Sequence, residues 1–278
     1  MCGIVGYTGN KPAQEIVIDS LKKLEYRGYD SSGIALHEGE IVFSKKEGPI
    51  ANLESVLDSS NSKMAIAHTR WATHGVPSDV NSHPHLSNDG KIAVVHNGTI
   101  DNYLDIKSSL ENEGFNFLSE SDTEVIPNLL SKYYEGDLVK AVSKILDEIE
   151  GIYTIAAIHV DNPEQIVSVR NETPLVIGLG NEENYVASDI YAILKYTQQI
   201  VYPDDHQIVS VSPKDVKVLD QNLNEVKFEV ETVEKYTEVA EKGGFEHFML
   251  KEIFEQPKAL QDSQTELFVN SPLDSLDL

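Results

Sequence analysis

The sequence contains a single cysteine, Cys2, among its 278 residues, which excludes an intrachain disulfide. It has no apolar run of about 18 residues or more, so no transmembrane helix is expected. No basic segment followed by an apolar one opens the chain, and we therefore expect no secretion signal. These absences favour a globular protein of the reducing cytoplasm.

Positive charge is also scarce, and arginine most of all. The formal net charge of −24 argues against a nucleic-acid partner and indicates a self-repelling surface. The three arginines are Arg27, Arg70 and Arg170. Arginine can bind a carboxylate in a bidentate manner, whereas lysine suffices for solubility. The segment around each arginine is therefore a candidate functional segment.

Cys2 follows the initiator methionine, and a small residue at this position normally allows removal of Met1. Cys2 would then carry a thiol and a free α-amine, which has a pKa of about 7.7–8.0 and can act as a base at neutral pH. A thiol beside a base is a strong nucleophile. The alternative is a buried, inert cysteine at the start of a strand.

The order of predicted elements is strands, then helices, then strands. This order indicates two packed sheets with helices outside them, rather than alternating βαβ units. Residues 2–7 and Met64–Arg70 are predicted strands, and Lys91–His96 is a strand that ends at Asn97-Gly98. The later predictions are a helix over Ser188–Tyr196, a strand over Val226–Val230, a linker over Glu231–Gly244 and a final helix over Phe245–Leu260.

A loop rich in Pro, Ser, Asp and Asn extends from Val76 to His85 and is predicted to be polar. It contains His83-Pro84-His85. A metal site needs more ligands than two histidines, and no cysteine or clustered carboxylate accompanies them. We therefore predict no metal, and nothing in the sequence indicates a cofactor.

A cysteine nucleophile that transfers an acyl group needs an oxyanion hole, often one side-chain amide and one backbone N–H. Asn97-Gly98 could provide both, with little bulk at the glycine. The alternative is that Asn-Gly is simply a turn.

A free amino-acid substrate carries a carboxylate and an ammonium group, for which an arginine and a carboxylate are suitable partners. Arg70 at a strand end and Asp122 at a helix start are the candidates. A surface ion pair and a helix cap are the alternative roles, and Asp122 could combine capping with binding. Trp71 is either a core residue or part of a lid, and His74 is either an acid or base or a member of a substrate loop.

A series of motifs runs in order from residue 2 to about residue 260. They are CGIVG (2–6), EYRGYDSSG (25–33), HTRWATHG (68–75), HNG (96–98), SESDTEV (119–125), PLVIGLG (174–180), ASD (187–189) and HFMLKEIFEQP (247–257). Together these motifs resemble those of the class II glutamine amidotransferases, which are N-terminal-nucleophile hydrolases. In particular, they are similar to the glutaminase domain of the glutamine–fructose-6-phosphate aminotransferases.

The resemblance implies an α+β fold, a four-layer αββα sandwich of the N-terminal-nucleophile hydrolase type. It implies that Cys2 attacks the side-chain amide of L-glutamine, with Asn97 and Gly98 holding the oxyanion. Arg70 would bind the α-carboxylate of glutamine and Asp122 its α-ammonium.

The loop from Arg70 to about Ser78 would close over the substrate. In that loop Trp71 would gate the passage of ammonia, and Thr73 and His74 would contact glutamine. Arg27 would support the site without taking part in the chemistry.

In that family a sugar-isomerase region, which binds fructose 6-phosphate, follows the glutaminase domain, and the present sequence has no room for it. The expected organisation is a glutaminase domain over 2–240 and a linker with a C-terminal helix over 241–278. The implied partners are glutamine and a sugar-isomerase domain or subunit, with neither nucleic acid nor membrane. A homodimer is an alternative to the single chain.

Two other functions are weighed against this one. An amidophosphoribosyltransferase has the same Cys2 start and RGxDS turn, but it lacks HTRWATHG and HFMLKEIFEQP in this form. The other alternative is a non-catalytic module that keeps only the fold. Such a module would not need all the expected catalytic residues, whereas this sequence has every one of them.

Overall fold

In a computed structural model of the protein, which describes residues 2–233, 244–245 and 248–265, two antiparallel β-sheets pack face to face. Strands and helices are numbered along the chain. The first sheet contains β1 (Gly3–Gly9), β2 (Ser31–His37), β3 (Ile41–Glu47), β4 (Met64–Arg70), β9 (Val176–Leu179), β10 (Glu183–Ala187), β11 (Gln199–Val201) and β15 (Glu231–Thr232). The second contains β5 (His85–Leu86), β6 (Ile92–Ile100), β7 (Gly151–His159), β8 (Ile166–Asn171), β12 (Ile208–Val211), β13 (Val216–Leu219) and β14 (Glu225–Val226).

The sheet order puts the two strands that matter most for the site in the interior. The first sheet runs β15-β11-β9-β10-β1-β4-β2-β3, and the second runs β14-β13-β12-β8-β7-β6-β5. Strands β1 and β4 are buried along their whole length, as expected for apolar strands covered on both faces. Strand β1, which follows Cys2 directly, therefore has little freedom to move.

Helices cover the outer face of each sheet. Their bounds are α1 (Ala13–Lys22), α2 (Ile50–Glu54), α3 (Tyr103–Asn112), α4 (Val125–Tyr133) and α5 (Leu138–Ile145). Three clusters of buried apolar residues hold the layers together: one joins α1 and α2 to the first sheet, one joins α3, α4 and α5 to the second, and one lies between the sheets. The order of layers is α, β, β, α, which confirms the predicted four-layer sandwich.

Several local predictions need correction. The predicted helix over Ser188–Tyr196 is a 3₁₀ turn at Ile190–Ala192, whose start Asp189 caps. The predicted strand over Val226–Val230 is the short β14. The predicted polar loop is polar only in its first part, because residues 81–85 are buried and His85 begins β5.

The chain divides into two compact units, Met1–Tyr236 and Thr237–Leu278, and each is described by itself. In the second unit, helix α6 (Phe248–Thr265) begins and ends later than predicted. Within the predicted linker, Glu231–Thr232 pair with β11 as β15, while 234–243 lie outside the described residues. Among the helices that the structure describes, none is long and apolar enough to cross a membrane.

Candidate active site

Cys2 lies directly before β1, with its backbone held from two sides. Its carbonyl accepts hydrogen bonds from Arg27 Nε at 3.1 Å and from Asn97 Nδ2 at 3.3 Å. Its sulfur lies 3.2 Å from the backbone N–H of Trp71 and 3.5 Å from the Trp71 carbonyl. The residue is half-buried, so it keeps some exposure to solvent.

Burial raises the pKa of the Cys2 thiol above its ordinary value of 9.0, although the Trp71 N–H and the positive charges of Arg70 and Arg27 oppose the shift. At neutral pH the sulfur is therefore mainly protonated. Because the thiolate is the reactive form of a cysteine, a reaction through this sulfur would need a nearby base to remove the proton.

Arg27 links the backbone of Cys2 to Asp189. Besides its bond to the Cys2 carbonyl, its Nη1 donates to Asp189 Oδ2 at 2.9 Å. Arg27 ends a 3₁₀ turn, and Gly28 follows it where the chain passes very close to the end of β4. A Cβ at Gly28 would lie 2.7 Å from the backbone carbon of Arg70, so only glycine fits there.

Asn97 and Gly98 lie inside β6, which continues to Ile100, and not after a strand as predicted. Gly98 has a φ of +123°, and a Cβ there would collide with the backbone carbonyl of Ile152 on β7. The backbone conformation and the nearby Ile152 carbonyl therefore require glycine at position 98, whether or not its N–H binds a ligand. Asn97-Gly98 therefore belongs to a strand, and the alternative that it forms a simple turn is excluded.

Arg70 ends β4 and is only 3% exposed. Its Nη2 donates to the backbone carbonyls of His74 and Gly75, whereas its Nη1 has no hydrogen-bond partner within the described residues. Burial lowers the pKa of Arg70, and the charges of Cys2, Asp122 and Asp30 oppose that shift. A buried guanidinium with one unused end can bind a carboxylate.

Asp122 is buried, but it does not cap the following helix. Ser121 performs that role by accepting from the backbone N–H of Thr123. Asp122 Oδ2 instead accepts from the backbone N–H of Ile100 at 2.9 Å, and its Oδ1 lies 3.8 Å from Nδ1 of His74. The predicted double role of Asp122 is therefore wrong in its capping part, and the carboxylate faces the loop that follows Arg70.

The loop after β4 is held near both of its ends. Asp30 Oδ2 accepts from the backbone N–H of Ala72 at 2.9 Å, and Asn81 Nδ2 donates to the carbonyl of Val76 at 2.9 Å. Trp71 is 46% exposed and meets the ring of Tyr29 edge-on at 5.8 Å. Trp71 is thus a surface residue of the loop, and its role as a core residue is excluded.

Thr73 and His74 occupy the middle of this loop. The hydroxyl of Thr73 lies 3.4 Å from Nδ1 of His74, and the His74 ring packs edge-on against Tyr103 at 5.4 Å. Within the described residues, no hydrogen bond joins Thr73 to Cys2, Arg70 or Asp122. His74 is the loop residue that the 3.8 Å approach of Nδ1 to Oδ1 places beside the Asp122 carboxylate.

A stack of buried histidines lies behind Asn97, and the sequence pattern did not reveal it. His68, His83, His85 and His96 are all at most 4% exposed, and the rings of His68 and His83 lie 4.0 Å apart and nearly parallel. No group of three potential metal ligands among the described residues is arranged to hold an ion. Alternation along β4 could have identified His68 as inward-facing, but its partner on the other sheet could not be read from the pattern.

A family described as "Glutamine amidotransferase domain" matches residues 68–195. The isomerizing glutamine–fructose-6-phosphate aminotransferases of Caldanaerobacter subterraneus and Clostridium tetani are 51% and 47% identical to it, covering 100% and 95% of this chain. The chain belongs to the class II glutamine amidotransferases.

The matches also show how much of its relatives this chain covers. The chain spans 46% and 44% of those two relatives, or about half of their length. A solved glutamine phosphoribosylpyrophosphate amidotransferase from B. subtilis superposes with a TM-score of 0.70 at 26% identity, covering 81% of this chain and 50% of that one. The identities therefore favour the fructose-6-phosphate aminotransferases over the phosphoribosyl enzymes, and the predicted enzyme class is confirmed.

Proposed function

We propose that this domain hydrolyses L-glutamine to L-glutamate and ammonia through a γ-glutamyl thioester on Cys2, formed after Met1 is removed. The observation that carries the proposal is the contact between Asn97 Nδ2 and the Cys2 carbonyl at 3.3 Å. It brings a side-chain amide from the second sheet to the residue that bears the nucleophile. The remaining N–H of that amide is available to an oxyanion beside the sulfur.

In the first half-reaction, the free α-amine of Cys2 accepts the thiol proton as the sulfur attacks the side-chain amide carbon of glutamine. The carbonyl oxygen becomes an oxyanion, which Asn97 Nδ2 and the Gly98 N–H stabilise. As the C–N bond breaks, the ammonium of Cys2 returns the proton to the leaving nitrogen. Ammonia leaves, and the γ-glutamyl thioester remains.

In the second half-reaction, a water molecule attacks the thioester carbon while the Cys2 amine accepts a proton from it. The same donors hold the second oxyanion, and the C–S bond then breaks. Glutamate is released, and the sulfur recovers its proton. In the first step the thiol needs this base because burial raises its pKa, and in the second step the ammonium formed by taking the proton from water gives that proton to the departing sulfur.

Substrate recognition rests on Arg70 and Asp122. The unused Nη1 of Arg70 would receive the α-carboxylate of glutamine, and Asp122 Oδ1 would receive the α-ammonium. Thr73 and His74 would contact the substrate from the loop, and Trp71 would gate the exit of ammonia. Arg27 would keep the Cys2 backbone in place without taking part in the chemistry.

The physiological reaction extends beyond this chain. Since the chain spans about half of its relatives, we propose that its ammonia serves the synthesis of glucosamine 6-phosphate by a sugar-isomerase domain or subunit that binds fructose 6-phosphate. The proposed boundaries are a glutaminase domain over 2–240 and a connecting segment over 241–278. A reducing cytoplasm suits the free Cys2 thiol.

Helix α6 is the surface we assign to the sugar-isomerase partner. Its apolar side chains Leu250, Ile253 and Phe254 are 40%, 52% and 65% exposed. Exposed apolar residues at helical spacing are typical of a docking face. Phe248 begins this helix, but its side chain lies outside the described residues.

The proposal is tested with the purified chain. Its intact mass should indicate the loss of Met1, and incubation with glutamine should release glutamate and ammonia in equal amounts. Cys2→Ala should abolish release while keeping the thermal unfolding midpoint of the wild type. A correctly processed and folded wild type that releases no glutamate would favour a non-catalytic module instead.

A further inference from the structure

Within the part of the chain that the structure describes, one buried contact without an assigned role joins the two sheets behind Cys2. His68 lies on β4, opposite Ile4 of β1, and its Nε2 is 3.0 Å from Oδ1 of Asn97 on β6. His68 is fully buried, and Asn97 is 6% exposed. No role assigned so far uses this histidine.

The orientation of the Asn97 amide fixes the proton on His68. The Cys2 carbonyl has no proton to donate, so it must face the NH₂ group of Asn97, as the 3.3 Å contact shows. The carboxamide oxygen then faces His68 and can only accept. His68 must therefore carry its proton on Nε2 and donate it to Asn97.

The opposite arrangement would harm the reaction. If His68 carried its proton on Nδ1, its bare Nε2 would accept from the Asn97 NH₂ group. The amide would then turn its oxygen toward Cys2 and present an acceptor to the developing oxyanion. The tautomer of His68 thus decides whether Asn97 is a donor or a repulsive group at the reacting carbon.

The ring of His68 is also held in place. It stacks on His83 with ring centroids 4.0 Å apart and planes 11° apart, and His83 Nδ1 accepts from the backbone N–H of His96, the residue before Asn97. Burial lowers the pKa of His68 to about 3, so the ring stays neutral throughout the physiological range. A neutral and immobile ring can hold one orientation of the amide through many turnovers.

From this geometry we propose that His68 is a positioning residue for glutamine hydrolysis, which donates from Nε2 to Asn97 and so keeps the Asn97 amide aimed as an oxyanion donor. The inference rests on the proposed function above. His68 touches neither glutamine nor the sulfur and acts only through Asn97. It should therefore affect the chemical steps and leave the binding of glutamine and glutamate unchanged.

The test compares two replacements of His68 with a matched control. In His68→Gln, the side-chain nitrogen reaches the position of Nε2 and can still donate, whereas His68→Leu cannot. Removal of an oxyanion donor costs roughly a hundred- to thousand-fold in kcat, so loss of its positioning should cost roughly ten- to hundred-fold. His85→Gln is the control, because His85 is equally buried in the same stack but makes no hydrogen bond to Asn97.

We expect His68→Leu to lower kcat with little change in the inhibition constant of L-glutamate, and His68→Gln to recover most of the loss. In an Asn97→Ala background, His68→Leu should have no further effect on kcat, because the two residues act as one unit. If His68→Leu does not fold, His68→Gln is compared with His68→Asn, whose amide is one methylene too short to reach Asn97.

Three results would overturn the inference: unchanged kcat in His68→Leu, an equal loss in His85→Gln, or a full additional loss in the Asn97→Ala background. If Asn97→Ala alone has reduced activity, any of these three results would leave the proposed glutamine hydrolysis intact. Absence of glutamate release by the processed wild type would instead overturn the proposed function, and this inference with it.

Discussion

The carboxylate of Asp122 accepts a hydrogen bond at 2.9 Å from the backbone N–H of Ile100, the last residue of β6. This bond fixes Asp122 relative to the strand that carries Asn97 and Gly98. One oxygen of Asp122 is therefore committed to the fold, and the other, Oδ1, faces His74 and the loop. The group proposed to bind the substrate ammonium is thus rigidly coupled to the group proposed to hold the oxyanion.

The first prediction separates these two functions of Asp122. In Asp122→Asn, the side-chain oxygen can still accept from Ile100, so the fold should remain, but the negative charge is lost. A hydrogen bond to a charged group contributes about 1.5–3 kcal/mol, so KM for glutamine should rise roughly ten- to hundred-fold. Steady-state kinetics measure this, and an unchanged KM would remove Asp122 from the ammonium site.

The second prediction concerns Arg70, whose unpartnered Nη1 is proposed to bind the α-carboxylate. Arg70→Lys replaces a planar fork with a point charge, so we expect KM to rise roughly ten- to hundred-fold while the chain stays folded. Arg170→Lys is the matched control, because Arg170 pairs with Asp205 at 2.8 Å outside the site. Equal effects of the two substitutions on KM would contradict the assignment.

Much of the architecture could be predicted because it depends on local patterns. The apolar stretches of β1 and β4 and the polar segments between helices are readable from periodicity, and β4 has the predicted bounds Met64–Arg70. Cys2, Arg70 and Asp122 could be grouped because the chemistry of an amino-acid substrate demands those residue types.

What could not be predicted depends on contacts between distant segments. Nothing near Asp122 in the sequence indicates that Ile100 competes with the helix end for its carboxylate. Residues 81–85 look like a polar loop because their burial is provided by the opposite sheet, where His83 meets His68. The link from His68 to Asn97 crosses between two sheets, and no pattern along either strand reveals it.

The third prediction tests the base. A permanent N-terminal extension converts the α-amine of Cys2 into an amide, which cannot accept a proton. General-base catalysis contributes roughly 10²–10⁴-fold, so kcat/KM should fall by that factor. An extension with a protease site directly before Cys2 is the control, since cleavage should restore the activity. Full turnover by the uncleaved fusion would refute the role of the amine.

The fourth prediction concerns Gly98. Its φ of +123° and its closeness to the Ile152 carbonyl leave no room for a Cβ. Gly98→Ala should therefore destabilise the protein by more than the roughly 1–3 kcal/mol of backbone strain alone, and activity should be lost. Gly90→Ala is the control: its φ is +71° with open space around the Cβ position, so only about 1–2 kcal/mol should be lost. Thermal and urea unfolding of both variants provide the comparison.

The last prediction concerns acid stability and the four histidines of the buried stack, His68, His83, His85 and His96. Burial is the largest cause that lowers the pKa of each below the ordinary 6.5, in His68 to about 3. The positive charges of Lys45 and Arg70 act in the same direction on His85, while Asp122 opposes the shift at His96.

The sign follows from proton binding. Between pH 6.5 and the lower folded-state values, the unfolded chain binds protons at these histidines and the folded chain does not, so acid favours unfolding. Above about pH 6.5 the neutral histidines cost the folded protein no stability. As the pH falls below 6.5, each histidine should lower the free energy of unfolding by up to about 1.4 kcal/mol per pH unit. The free energy of unfolding, measured with urea at about pH 7.5, 6.5, 5.5 and 4.5, should decline steeply as the pH falls. Removal of one titrating group in His85→Leu should reduce that slope. A flat dependence on pH across this window would mean that the stack is already protonated in the folded protein, or open to water, and would contradict the neutral His68 on which the orientation of Asn97 depends.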